Sequence, residues 1–178
     1  GVVVLYGSET GCAQEVAERI GREAQRRNIA VKAVQPMDAF TIDELVREDL
    51  AIFVCSTTGQ GDPPANMKSS WRRLIQKSYP RLPSLAFSVF GLGDSSYAEF
   101  NFVAKKLHNR LVQLGAQCLL HRRLGDDQDE GGMDKELALW MAELWPALAQ
   151  TLPEEQRARV VADPPASLLP AVCEVLFQ

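Results

Sequence analysis

The sequence predicts a single α/β domain, an open parallel β-sheet covered by helices on both faces. Five apolar, β-branched segments alternate with helical patterns along the chain. Two of those segments, VVVLY (Val2–Tyr6) and AIFVC (Ala51–Cys55), are apolar at every position, as strands buried on both faces must be. A chain of 178 residues, 46% of them hydrophobic, fills one core and has no room for two large ones.

The first strand, 2–6, leads into a helix over about 12–27, whose Ala13, Val16, Ala17, Ile20 and Ala24 form one apolar stripe opposite charged residues. A strand at 30–34 and a short helix at 42–47 precede the third strand, 50–55. A glycine- and proline-bearing loop, 56–66, opens a helix at about 67–77, and Pro80 and Pro83 break the chain before the fourth strand, 85–90. The glycine loop 91–96 leads to a long helix ending near Gln113, and the fifth strand is expected at 117–120. An acidic loop, 125–130, then precedes a last helix ending near Leu148. Trp71, Trp140 and Trp145 fall in helices and are expected to pack on the sheet.

The domain is expected over 1–150. Beyond it the pattern fails: 151–173 reads as a linker, and EVLFQ (174–178) as the remnant of a protease-cleavage site foreign to the fold. A chain that starts one residue before its first strand is expected to be a piece of something longer. Right-handed crossovers carry the loops 7–11, 56–62, 91–96 and 125–129 to one edge, beyond the strand C-termini, where ligands of open α/β sheets bind.

Charge and cysteine usage exclude several classes. A net charge of -4 gives no concentrated basic surface for nucleic acid and favours basic protein partners instead. No apolar run approaches the roughly 20 residues of a membrane span. Cys12, Cys55, Cys118 and Cys173 form no CxxC pair, so reduced thiols in a cytoplasmic protein are expected. His108 and His121 read as solitary, with no partner at metal-ligand spacing, and no metal or catalytic acid, base or nucleophile is expected.

The loops carry the chemistry. In GSETGCAQ (Gly7–Gln14), Ser8 and Thr10 supply hydroxyls, Gly11 permits a tight turn and Ala13 keeps the first helical turn slim. With the unpaired N–H groups of the helix start, the loop suits a phosphate; an ordinary helix N-cap is the alternative. The triphosphate pattern GxxxxGK[ST] and the dinucleotide pattern GxGxxG are both absent. STTGQGDPPAN offers hydroxyls and glycine-flanked amides to a flat polar edge, and GLGDSSYAEFN places Tyr97 at an expected helix start, where its ring would cover an aromatic ligand. A planar heteroaromatic ring bearing one phosphate satisfies both kinds of loop, and flavin mononucleotide (FMN) is such a molecule.

Four motifs in order, YGSETG, TTGQGDPPAN, FGLGDSSYAEFNFVAKKL and LGDDQDE, resemble the flavodoxin-like FMN domains of diflavin reductases, such as cytochrome P450 reductase and the reductase part of nitric oxide synthase. The likeness runs from Val2 to about Leu148 and leans toward the branch that supplies electrons to cytosolic iron–sulfur assembly. It implies a flavodoxin-like three-layer sandwich with a five-stranded parallel sheet of order 2-1-3-4-5. It also implies that Ser8, Glu9, Thr10, Gly11, Cys12 and Ala13 wrap the FMN phosphate, and that Thr57, Thr58, Gly59, Gln60 and Gly61 flank the isoalloxazine. Tyr97 would cover the ring, with Leu92, Gly93, Asp94, Phe100 and Asn101 nearby and Leu124 and Asp127 on the fourth loop.

The resemblance further implies an electron carrier. An FAD/NADPH reductase module of the same polypeptide, absent here, would supply electrons, and an iron–sulfur or haem protein with a basic docking surface would accept them. Asp62, Asp94, Glu99, Asp126, Asp127, Asp129 and Glu130 would face such an acceptor. The chain departs from the family at Cys12, often threonine, and at Thr58, where cytochrome P450 reductase has a stacking tyrosine. Those departures keep a second reading open, a flavodoxin-shaped interaction or regulatory module with weak or vestigial cofactor binding.

Overall fold

The computed structural model describes residues 1–58 and 60–162. Its sheet is parallel throughout, built from β1 (Val2–Gly7), β2 (Val31–Pro36), β3 (Leu50–Ser56), β4 (Ala86–Gly93), β5 (Gln117–Cys118) and β6 (Arg123–Asp126), and runs in the order β2-β1-β3-β4-β5. β6 also pairs with β4, so the fifth place in the sheet is shared by two short segments. The expected order 2-1-3-4-5 is therefore the observed one.

Side chains of a strand alternate between its faces, and here both faces are dry. Val2, Val4 and Tyr6 of β1, with Ile52 and Val54 of β3, enter one core layer together with α1 (Cys12–Arg26) and α4 (Asp134–Thr151). Val3, Leu5, Ala51, Phe53 and Cys55 enter the other, beneath α2 (Lys68–Leu74) and α3 (Phe102–Gln113). Trp140 and Trp145 are buried in the first layer, and Trp71 packs against the second.

Two helices end by the same device. Asn28, at φ 60°, follows α1 in the left-handed region, its N–H bonds to Gln25 O, and the Ile29 N–H reaches Ala24 O at 2.8 Å. Gly115, at φ 86°, closes α3 likewise, with the Ala116 N–H on Leu111 O. This pairing satisfies carbonyls that the last helical turn leaves open and aims the chain back at the sheet.

Three expectations need correction. The fifth strand is not continuous over 117–120: the chain leaves the ladder after Cys118 and returns at Arg123, with the Ser88 hydroxyl holding Leu120 O at 3.0 Å in the gap. β4 extends through Gly93, so Gly91–Gly93 belong to a strand rather than a loop. The short helix expected at Ile42–Arg47 forms there, as a 3-10 helix. Within the expected linker, α5 (Glu154–Arg157) forms, and the chain beyond it ties to the end of α1 through Asn28 Nδ2 on Arg159 O and the Val161 N–H on Arg27 O. The stretch 163–178, including the expected remnant 174–178, lies outside the described residues. Among the described residues, no helix is long and apolar enough to cross a membrane.

Trp140 is fully buried against Phe90, ring centroids 5.2 Å apart, and its Nε1 has no hydrogen-bond partner among the described residues. Trp140→Ala should cost about 3–5 kcal/mol in denaturant unfolding. Trp140→Phe, which also removes the unpartnered N–H, should cost less than half as much; equal losses would show that ring packing is not what Trp140 contributes.

Candidate functional site

All four loops expected at one edge leave it together, and hydrogen bonds knit each to the next. On the first, the Ser8 hydroxyl accepts the Gly11 N–H at 2.8 Å, folding 8–11 into a tight turn. Gly11 sits at φ 93° at the start of α1, and no side chain caps that helix. The Gly11 N–H is thus committed within the turn, and the positive end of α1 is presented to the loop. Thr10 is exposed beside it, and the Ser8 hydroxyl proton is not used by the turn.

The second loop braces the first. Asn66 Oδ1 accepts the Ser8 N–H at 2.9 Å, and Glu9 Oε1 accepts the Ala65 N–H at 3.0 Å. The glutamate expected at the phosphate thus also holds the neighbouring loop. Gly7 is constrained from below, since a Cβ there would lie 2.2 Å from Met67 Sδ.

Thr57 and Thr58 turn out to be structural as well. The Thr57 hydroxyl accepts the Val103 N–H at 3.1 Å and its own N–H reaches Leu92 O, so this residue links the second loop to β4 and α3. Thr58 closes a turn, its Oγ1 accepting the Asp62 N–H and its carbonyl the Gly61 N–H. Gly61 has φ 81° and packs against Glu99, 2.9 Å from where a Cβ would stand. Gln60 is exposed, and Gly59 lies outside the described residues.

Asn101 is the hub beneath the third and fourth loops. Fully buried at φ 52°, it donates from Nδ2 to Gly125 O at 3.0 Å. Added Cβ atoms at Gly91 and Gly93 would come within 2.6 and 2.8 Å of its amide, so both glycines are required by its proximity. Its Oδ1 is buried without a partner among the described residues. Asn101 therefore supports the loops from below rather than facing a ligand from their surface. Cys12 is also turned inward, 4% exposed, its side chain in the first core layer.

Tyr97 does not stand at a helix start. Residues 94–101 form turns, and α3 begins at Phe102. The Tyr97 ring is 54% exposed and Phe102 37%, while Phe100 lies under Lys105 Nζ at 5.3 Å. Exposed aromatic rings beside a loop of polar turns provide a face for a flat apolar ligand. On the fourth loop, the Asp127 N–H bonds to Gly93 O, whereas Leu124 lies within β6 and is partly buried.

Two carboxylates with no expected structural role hold the third and fourth loops together. Asp94 accepts both the hydroxyl and the N–H of Ser96 and is reached by Gln128 Nε2 at 3.1 Å. Asp126 Oδ1 accepts the N–H groups of Ser95 and Gln128 at 2.9 and 3.0 Å. The Ser96 side chain and amide hold the Asp94 carboxyl below its ordinary value. Burial works against the charged form of Asp126, but the bonds from Ser95 and Gln128 outweigh it and lower that carboxyl too.

Residues 4–140 match the flavodoxin family model. The chain belongs to the flavodoxin family. It is 56% identical over 146 residues, 81% of its length, to NADPH-dependent diflavin oxidoreductase 1 of Mus musculus, and 52% identical over 171 residues, 95% of its length, to the protein of that name from Danio rerio. It spans only 24% and 27% of those relatives, about a quarter of each. The crystal structure of oxidised flavodoxin 2 from Bacillus cereus superposes with a TM-score of 0.64 over 85% of this chain and 99% of that one, at 24% identity, which shows a shared fold.

A carboxyl lowered in the folded state stabilises above its ordinary pKa, and that contribution is lost as pH falls through the lower folded value. The amide resonances of Ser95, Ser96 and Gln128 in this flavodoxin domain should therefore stay fixed from neutral pH down to about 3.8, the ordinary aspartate value, and titrate together below it. A shared midpoint above 3.8 would contradict the assigned carboxylate bonds.

Proposed function

We propose that this domain binds FMN at the C-terminal edge of its sheet and works as a one-electron carrier. Electrons come from an FAD/NADPH module of the same polypeptide and go to a protein acceptor. The observation that carries this reading is the first loop: a turn rich in hydroxyls at the β1/β3 switch point, where flavodoxins are known to place FMN, ending at the positive N-terminus of α1. The names of the diflavin relatives support the NADPH-linked role.

The donor set fits a monophosphate ester without a lysine. Ser8 and Thr10 offer hydroxyls, and Gly11, Cys12 and Ala13 bring the positive end of α1 to the loop, with the Gly11 N–H holding the Ser8 oxygen in place. Ala13 is fully buried and adds no bulk over the turn. Glu9 keeps that loop pinned to Ala65, and Tyr97, whose N–H bonds to Asp94 O, supplies an exposed ring on the third loop. Thr57, Thr58, Gln60 and Gly61 belong to the opposing loop, with Leu92, Phe100, Asn101, Leu124 and Asp127 completing or supporting the cradle. When bound, FMN supplies redox chemistry that passes electrons singly, which none of these side chains does.

The rest of the chain orients and selects. Asp94 and Asp126 bind loop amides and keep their charge, so the rim carries negative potential with Glu99, Asp127, Asp129 and Glu130. Such a rim steers a basic docking surface, and iron–sulfur and haem proteins are the acceptor classes in this reading. A cytoplasmic setting belongs to this reading, with Cys55 and Cys118 both free thiols.

Titration of the flavin-free chain with FMN and with riboflavin tests the reading. Thr10→Leu should weaken FMN by about tenfold or more, since a hydrogen bond to a charged group is at stake, and leave riboflavin nearly unchanged. Tyr97→Ala should weaken both ligands by several-fold. Equal losses for the two ligands in Thr10→Leu would remove the phosphate from this loop, and failure of the unaltered chain to bind either would favour the interaction module.

A further inference from the structure

His108 and His121 are not solitary. The fold brings them to one place with Cys118, where one ligand atom from each lies within 4.8 Å of the others. His108 projects from α3 into the second core layer, 6% exposed, edge-on to Phe87 at a centroid distance of 5.4 Å. His121 meets it ring to ring at 5.3 Å. Cys118 ends β5, and His121 follows in the gap before β6. The cluster therefore sits where the fifth strand leaves the ladder, on the outer edge of the sheet.

The buried member of the cluster lacks a partner. His108 Nδ1 is shielded from solvent with no hydrogen bond among the described residues. Burial, then the charge of Arg122 and the neighbouring His121, push this imidazole down to about 4, so at neutral pH it is uncharged and holds a lone pair. Among the described residues, the Cys118 thiol donates to the Leu120 carbonyl at 3.3 Å, a weak bond that a better one can replace.

Two imidazoles and a thiolate form a donor set suited to zinc. We propose that His108, Cys118 and His121 bind one Zn(II) ion, with solvent in the fourth position. Binding releases the Cys118 thiol proton to solvent and leaves a net charge of about +1 on the zinc and thiolate together. Arg122 opposes a cation here but also favours the thiolate, lowering the Cys118 thiol against the upward push of burial.

Bonds of about 2.0–2.3 Å to zinc require ligand atoms roughly 3.5 Å apart, so the 4.8 Å cluster must close by about 1 Å. Cys118 is held by the ladder at its backbone and its exposed thiol moves by side-chain rotation, while His121, exposed in the break between β5 and β6, is free of ladder pairing and supplies the rest of that movement. The ion would join α3 to the interrupted edge. Phe87, paired with Cys118, and Gly93, at the flavin loops, are six positions apart on β4, about 20 Å, so the two sites are separable.

Equilibrium dialysis of the full chain against Zn(II), with metal counted by mass spectrometry and its neighbours read by zinc X-ray absorption, tests the proposal. The expected result is one zinc per chain with one sulfur neighbour at about 2.3 Å. Affinity should fall on the order of tenfold or more in Cys118→Ser and in His121→Ala, both exposed positions, and should survive Cys173→Ser. Circular dichroism confirms that the variants remain folded. Binding equal in all variants, or zinc without a sulfur neighbour, would overturn the site.

Discussion

Parallel pairing of β1 with both β2 and β3 is the constraint on which the rest depends. Because every strand runs the same way, every strand end delivers its loop to the same edge of the sheet. Antiparallel pairing would scatter the same loops over both edges. The dry faces of β1 and β3 enforce this arrangement, since two apolar faces can be buried only between two helical layers.

Convergence alone does not make a site; the loops must also hold still. The structure achieves this with a relay of bonds running across the edge: Glu9 and Asn66 join the first loop to the second, Thr57 joins the second to β4 and α3, and Asp94, Asp126 and Asn101 join the third to the fourth. Residues of the kind that bind ligands are thus spent largely on one another. What faces outward at this edge is narrow: the positive end of α1, the exposed Thr10 and the exposed Tyr97. In the proposed reading, the first two of these take the phosphate of FMN and the third its planar ring.

The parts legible in the sequence are those governed by local pattern. β1 and β3 stand out because every position is apolar, and α1 because its stripe recurs at helical spacing. The edge strand was misplaced because QCLLHRRLGDD carries neither pattern and its pairing depends on β4. Tyr97 was assigned to a helix because nothing local shows that Asp94 folds the next residues into turns, or that Asn101 must adopt a left-handed conformation just before α3. The pairing of His108 with His121 was equally hidden, since it follows from the break in that edge strand. Asn101 was named as a neighbour of the ligand, yet its burial beneath Gly91 and Gly93 is a tertiary fact that no spacing rule conveys.

The central claim is that these four loops form one FMN site. Amide chemical-shift mapping of the flavin-free chain during stepwise FMN addition tests it most directly. The account predicts that amides of Ser8–Ala13, Gly61, Gly93–Tyr97 and Leu124–Asp127 shift together and saturate at one equivalent, while those of β2 and the start of β4 stay in place. Shifts confined to another surface, or no saturation, would contradict it.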